Sequence, residues 1–177
     1  TGYADNQHAC RLFAREQGVK VFDVDAGIGS HVLIEQGLAK AGTTAVGTDS
    51  HYNILGAVGA FGQGMGDLDI AFAFAYGKTW FEVPESVKLV LKGMPAKNAS
   101  AKDVTLCVVG KLGAAGLLGR VADVSGEWID RADLASRITL ASMGTEMGAI
   151  SLLIPGGDKL FQADAGAHYA QEIVIDI

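Results

Sequence analysis

The chain has 177 residues, 49% of them hydrophobic and 19% charged, and a formal net charge of −6. This length suggests one domain, residues 1–177, with enough chain for a real core, and the composition excludes a disordered segment. The acidic balance without a basic run speaks against nucleic acid and anionic membrane as partners, and no apolar run reaches the roughly 18 residues that a spanning helix needs.

The opening Thr1-Gly2-Tyr3-Ala4-Asp5 does not read as a signal peptide. Residues 5–17 read as a helix capped by Asp5, with Leu12 and Phe13 on an apolar face and Gly18 as its stop. Residues 19–22 read as a strand and residues 23–30 as a loop, after which His31 opens the apolar segment Val32-Leu33-Ile34. Lys40-Ala41-Gly42 turns into a short apolar strand, residues 43–46, which Gly47 ends. Thr48-Asp49-Ser50-His51 follows: an acid, a hydroxyl and an imidazole in consecutive positions at a strand end. Open α/β sheets bind ligands at such ends. Alternation along an extended segment points Asp49 and His51 to one side and Ser50 to the other, and a backbone turn lets all three face one pocket. The bland alternative is a helix cap beside a solvated histidine.

Gly56, Gly59, Gly62, Gly64 and Gly66 then space small and apolar residues, which reads as a closely packed small-residue helix. They form neither G-x-G-x-x-G after the strand nor a phosphate loop with Gly-Lys-Ser/Thr. Asp67 caps a helix over residues 68–76, and its apolar faces (Ile70, Phe72, Ala73, Phe74) imply burial. Trp80 and Phe81 read as core.

In the second half, residues 86–92 alternate polar and apolar, a half-buried strand. Ser100-Ala101-Lys102-Asp103 resembles a capping box opening a helix through Val104, Val108 and Leu112. Residues 113–119 read as a loop, 121–124 as a strand, 133–147 as a helix, 151–155 as a strand and 173–175 as a last strand. Strands alternating with helices give an α/β fold with a mixed sheet. Cys10 and Cys107 lie in separate helix-like segments without metal-ligand spacing, and read as buried free thiols of a reducing, cytoplasmic compartment. His8 and His168 read as solvated, and Lys111 and Arg120 as surface charges.

Five motifs together carry a resemblance over nearly the entire chain. They are Gly27-Ile28-Gly29-Ser30-His31, Thr48-Asp49-Ser50-His51, residues 77–86, Ala101-Lys102-Asp103-Val104, and residues 137–149 with Met143 and Glu146. In this order they resemble the aconitase superfamily, nearest to the large subunits of 3-isopropylmalate dehydratase and homoaconitase. The resemblance implies a three-layer α/β/α domain. It implies a hydro-lyase that isomerises a hydroxy di- or tricarboxylate through a cis-alkene, using a 4Fe-4S cluster with one open iron as Lewis acid. It also implies a small swivelling subunit as partner.

By this resemblance His31, Asp49, Ser50, His51 and Glu146 are active-site positions, with Asp49 and Ser50 orienting substrate and water. Ser142 falls where the family has a substrate-binding Asn. The resemblance further implies that His31 pairs with Asp49 and His51 with Glu146. Tyr52 stands where the family has Thr, and Asp123 where it has Glu. The family's upstream Asp-His pair and its three cluster cysteines match no residue here, so the chain reads as an internal piece of a large subunit that holds no cluster itself and is inactive alone. The alternative is a non-catalytic α/β interaction or assembly domain that keeps the scaffold.

Overall fold

The structure, a computed structural model, describes residues 2–155 and 163–177. The first helix, α1, spans Gly2–Gln17 and begins three residues before the expected start. Only Ala14 on it is buried, and Leu12 and Phe13 stay 39% and 46% exposed. Residues 19–22 form no strand, because a strand exists only through a pairing partner and no ladder reaches them. This segment is instead pinned through Asp23, whose two carboxylate oxygens accept from Arg11 Nε and Nη2 at 2.7 Å each. Helix α2 spans Gly29–Glu35, so His31 lies inside a helix.

Strands β1 (Thr44–Gly47) and β2 (Phe61–Gly64) pair in parallel, Thr44 opposite Phe61 and Gly47 opposite Gly64. Between them runs a 3-10 helix, Tyr52–Val58. The stretch expected as one small-residue helix is therefore a 3-10 helix followed by a strand. Helix α3 (Asp67–Tyr76) starts after Gly66 and buries none of its residues, contrary to the expectation from its composition. Apolar residues are buried only where another element covers them. Here Phe74 meets the edge of Phe13, with ring centroids 5.9 Å apart, while Phe72 leans on Tyr76 within the helix. Trp80 is likewise 79% exposed rather than core, and Phe81, 36% exposed, stacks on Phe61.

The second sheet contains β3 (Ser86–Lys92), β4 (Val121–Ser125), β5 (Ser151–Leu153) and β6 (Gln171–Asp176) in the order β5-β4-β3-β6. All its pairings are parallel, as is β1 with β2, where a mixed sheet was expected. Helix α4 (Ala101–Leu112) crosses from β3 to β4 and begins with the expected capping box, the Ser100 hydroxyl and the Asp103 carboxylate serving each other's backbone N–H. Helices α5 (Glu127–Arg131) and α6 (Leu134–Ser142) and a 3-10 turn, Thr145–Met147, connect β4 to β5. The helix expected over residues 133–147 thus breaks near Gly144, where a side chain would collide with Leu152 and Asn53.

The register places Val87, Leu89, Leu91, Ala122, Val124, Leu152 and Ile175 on one face, and these form the main core with α4, α5 and α6. The opposite face carries Lys88 paired with Glu172 and Lys92 with Asp176 directly across the β3–β6 ladder. Among the described residues, α4, α5 and α6 cover this apolar face of the sheet, in keeping with the aconitase-like α/β domain that the resemblance implies. A smaller cluster, Ala39, Ile54, Leu55 and Ala60, lies under β1, and Ile138 of α6 packs against both cores. Gly56 brings the first 3-10 helix against the edge of β5, where any Cβ would meet the Leu152 carbonyl, and the Ile154 N–H donates to the Gly56 carbonyl at 2.9 Å. The edge strand is thereby covered. Both cysteines are free; Cys10 is exposed on α1 and Cys107 half-buried on α4, so the expectation of two buried thiols holds for neither in full.

Candidate functional site at the carboxyl ends of the first strand pair

The site is built where β1 and β2 end side by side. After Gly47 the chain turns sharply, because Asp49 Oδ1 accepts the His51 backbone N–H at 2.9 Å. This side-chain-to-backbone bond two residues on is an Asx turn, and it replaces the extended alternation with a bend. Gly64 makes room for the bend, since a Cβ there would lie 2.6 Å from the Asp49 carbonyl oxygen. Gly47 similarly admits the ring of Tyr52, which would lie 2.5 Å from a Cβ at that position. Burial of that ring pushes the Tyr52 phenol above its ordinary range.

His51 is held on both ring nitrogens. Ser50 Oγ lies 3.0 Å from Nδ1, and Glu146 Oε1 lies 3.1 Å from Nε2. The His51–Glu146 pair joins positions 95 apart in sequence, as the resemblance implied. Both side chains remain partly open to solvent, 43% and 40% exposed. Thr145, next to Glu146, donates its hydroxyl to the Ser50 carbonyl at 2.9 Å. Beside these groups lies a cleft of about 460 Å³, lined by Thr48, Ser50, Gln63, Thr145, Ala149 and Ile150 among others. The buried Oε1 of Gln63 has no hydrogen-bond partner among the described residues.

The other expected pair is absent. Asp49 Oδ2 accepts from Ser30 Oγ at 3.3 Å, not from His31. Consecutive residues of a helix point about 100° apart. Because α2 directs the buried Ser30 toward Asp49, His31 is carried around the helix, and its buried Nδ1 has no partner among the described residues. Ser142, the last residue of α6, donates to the Thr139 carbonyl at 2.9 Å and so spends its hydroxyl within its own helix. Asp123 lies away from the site, on β4, where it accepts from the Tyr169 hydroxyl at 2.5 Å.

The structure therefore brings Asp49, Ser50, His51 and Glu146 together and leaves His31 and Ser142 outside their contacts. Sequence reasoning missed Ser30, Thr145 and Gln63. Ser30 alone carried a signal, as a hydroxyl entering an otherwise apolar helical segment.

The chain just after one parallel strand thus supplies an imidazole, a hydroxyl and a carboxylate, and a turn before another strand supplies a second carboxylate, at the kind of place where α/β folds bind ligands. The model of the Aconitase family (aconitate hydratase) matches residues 3–176. The homoaconitase large subunit of Thermus thermophilus is 41% identical, over 98% of this chain and 44% of its own length. The 3-isopropylmalate dehydratase large subunit 1 of Deinococcus radiodurans is 42% identical, over 98% of this chain and 42% of its own length. A probable methanogen homoaconitase large subunit of Methanothermobacter thermautotrophicus is 44% identical, over 84% of this chain and 35% of its own. The chain belongs to the aconitase family, and it spans less than half the length of these relatives. No helix among the described residues is long and apolar enough to cross a membrane.

Proposed function

We propose that this chain is part of a hydro-lyase that isomerises a hydroxy di- or tricarboxylate by dehydration and rehydration, and that residues 1–177 form one domain of its large subunit. The observation that carries this reading is the long-range contact of His51 with Glu146, set beside Asp49 and Ser50, with Ser50 and Thr145 lining the neighbouring strand-end cleft. Dehydration requires a group that accepts a proton in one direction and returns it in the other. His51 Nε2, braced by a carboxylate, holds a proton at a defined place, and Ser50, whose hydroxyl lies 3.0 Å from Nδ1, lines the cleft. Asp49 acts by shaping the turn. In this reading Ser142 and His31 are substrate-side positions by the family resemblance, and neither touches the four central residues.

The family's 4Fe-4S cluster acts as a Lewis acid on the leaving hydroxyl when bound. The residues present do not fit it. The chain has two cysteines, on α1 and α4, and among the described residues no group of three or more His, Cys, Asp or Glu side chains is placed to hold a metal. The cluster is therefore assigned to the remainder of the large subunit, and the names of the relatives support a small subunit as a further partner. Free thiols on separate helices are in keeping with a reducing, cytoplasmic location.

The reading is tested by replacing the matched segment of the Deinococcus radiodurans relative with this chain. Alkene formation from isopropylmalate and homocitrate is then followed with the small subunit present. Turnover that Glu146→Gln and His51→Ala each reduce at least about a hundredfold, the usual scale of a lost acid–base group, supports it. Turnover indifferent to both substitutions removes the site assignment.

A further inference from the structure

We propose that Thr145 is a positioning residue for His51, its hydroxyl closing a hydrogen-bonded ring that fixes the imidazole in one tautomer facing Glu146. The inference rests on the hydro-lyase reading only for the purpose of that positioning, since the ring itself is a matter of geometry. Thr145 Oγ1 donates to the Ser50 carbonyl at 2.9 Å, and the next residue, Glu146, faces Nε2 of the residue after Ser50 at 3.1 Å. Two hydrogen bonds and two peptide links thus form a closed loop between the turn at 50–51 and the turn at 145–146. Ser50 Oγ, 3.0 Å from Nδ1, adds a third bond inside it.

The ring admits one set of proton positions for a neutral imidazole. An ionised carboxylate only accepts, so Nε2 must carry the hydrogen that faces Glu146. Nδ1 is then an acceptor, and the Ser50 hydroxyl donates to it. The opposite tautomer would set the Nε2 lone pair against a carboxylate oxygen.

The Thr145 bond is needed because the other contacts are weak by themselves. His51 and Glu146 are 43% and 40% exposed, and an exposed pair of long side chains does not hold a fixed geometry. Glu146 also rides on a turn of only three residues, Thr145–Met147. One side of that turn is anchored by Met147, which is fully buried and accepts the Leu117 N–H at 3.0 Å. Thr145 anchors the side that faces the cleft. Without its hydroxyl, the exposed pair is the one side-chain hydrogen bond left between residues 50–51 and 145–146 among the described residues.

The test uses the 177-residue chain with nitrogen-15-labelled histidine and long-range proton–nitrogen correlations of the His51 ring. At a pH where the ring is neutral, the unsubstituted chain and Thr145→Ser should each show the Nε2–H tautomer alone. Thr145→Val, which keeps the shape and loses the hydroxyl, should show two ring nitrogens with converging shifts, the mark of exchanging tautomers. A Thr145→Val spectrum identical to the unsubstituted one overturns the proposal, as does a Thr145→Ser spectrum that has lost the single tautomer. Should Thr145→Val not fold, the unsubstituted chain decides. A Thr145 hydroxyl proton protected from exchange with water supports the bond, and one exchanging freely overturns it. Turnover does not enter these readouts. A single tautomer in a chimera without activity would count against the hydro-lyase reading and leave the role of Thr145 standing.

Discussion

Ser30 and Asp49 meet where α2 approaches the end of β1, with Ser30 Oγ donating to Asp49 Oδ2 at 3.3 Å from a side chain only 2% exposed. Asp49 Oδ1 meanwhile holds the His51 N–H. One carboxylate thus ties a helix, a strand end and the histidine-bearing turn together. Ser30→Ala leaves Oδ2 without its buried donor, which should cost about 1–2 kcal/mol of stability. The His51 amide should also exchange faster, because the carboxylate that holds it is free to rotate. Urea denaturation and amide exchange measure both effects, and an unchanged His51 amide would show that Oδ1 holds the turn unaided.

Gly56 is where the smaller cluster joins the main sheet. Its Cα lies so close to the Leu152 carbonyl that a Cβ cannot be accommodated without moving backbone. Gly56→Ala should therefore push the 3-10 helix Tyr52–Val58 off the β5 edge and cost about 1–3 kcal/mol, the range for overpacking. The Ile154 N–H, which donates to the Gly56 carbonyl, should lose protection first. Equal stability with an undisturbed Ile154 amide would mean that this joint is softer than the structure shows.

What could be read from the sequence was what local chemistry decides. The Ser100–Asp103 box and the alternation of residues 86–92 are complete within one turn or one strand, and both formed as expected. The His51–Glu146 pair came from resemblance, because no local pattern links positions 95 apart. The failures are cases where a neighbour decides. β2 has two glycines in four residues, a poor strand by propensity, and exists because β1 lies beside it. Residues 19–22 have good strand propensity and no partner. Helix α3 has no buried residue among the described part of the chain, although Phe74 meets the Phe13 ring, so composition alone misjudged its burial. At the site, one residue of helical phase separates Ser30, which reaches Asp49, from His31, which does not.

Tyr169 and Asp123 form a pH-sensitive contact far from the cleft. The 2.5 Å bond to the Asp123 carboxylate, with burial adding to it, pushes the Tyr169 phenol up to about 12. A raised folded-state value means that the contribution of this contact is full below the ordinary tyrosine value of 10.0 and is lost as pH rises through about 12. In an absorbance titration of the four tyrosines, Asp123→Asn should move one of them back toward that ordinary value. A superimposable titration would mean that the bond does not form in solution.

Asp23 behaves with the opposite sign. The Arg11 guanidinium bonded to it, helped by the Val24 N–H, lowers its carboxyl from 3.8 to about 2. A depressed value means that the Arg11–Asp23 contact is fully present above pH 3.8 and is lost as pH falls through about 2. Because the pair is at the surface, the readout is local: amide exchange along α1 should rise between these two pH values. Asp23→Asn should remove that acid-dependent step, and an exchange profile that keeps it would assign the step to another group.

The last expectation concerns iron and turnover together. A four-iron cluster with one open iron needs three thiolates converging on it, and this chain has two cysteines carried by different helices, one exposed and one half-buried. Anaerobic reconstitution should therefore leave the chain without stoichiometric iron or sulfide. In the absence of a Lewis acid, the hydroxyl must depart with only side-chain help, and acids and bases contribute typically about 10²–10⁴-fold. In the proposed reading His51, Glu146 and Ser50 hold a proton without stabilising the leaving oxygen. The chain alone should give no measurable alkene from citrate, isopropylmalate or homocitrate. Alkene absorbance that exceeds a heat-inactivated control and disappears in His51→Ala would show that these side chains suffice without the cluster. About four irons per chain after reconstitution would show that the ligand set had been misjudged.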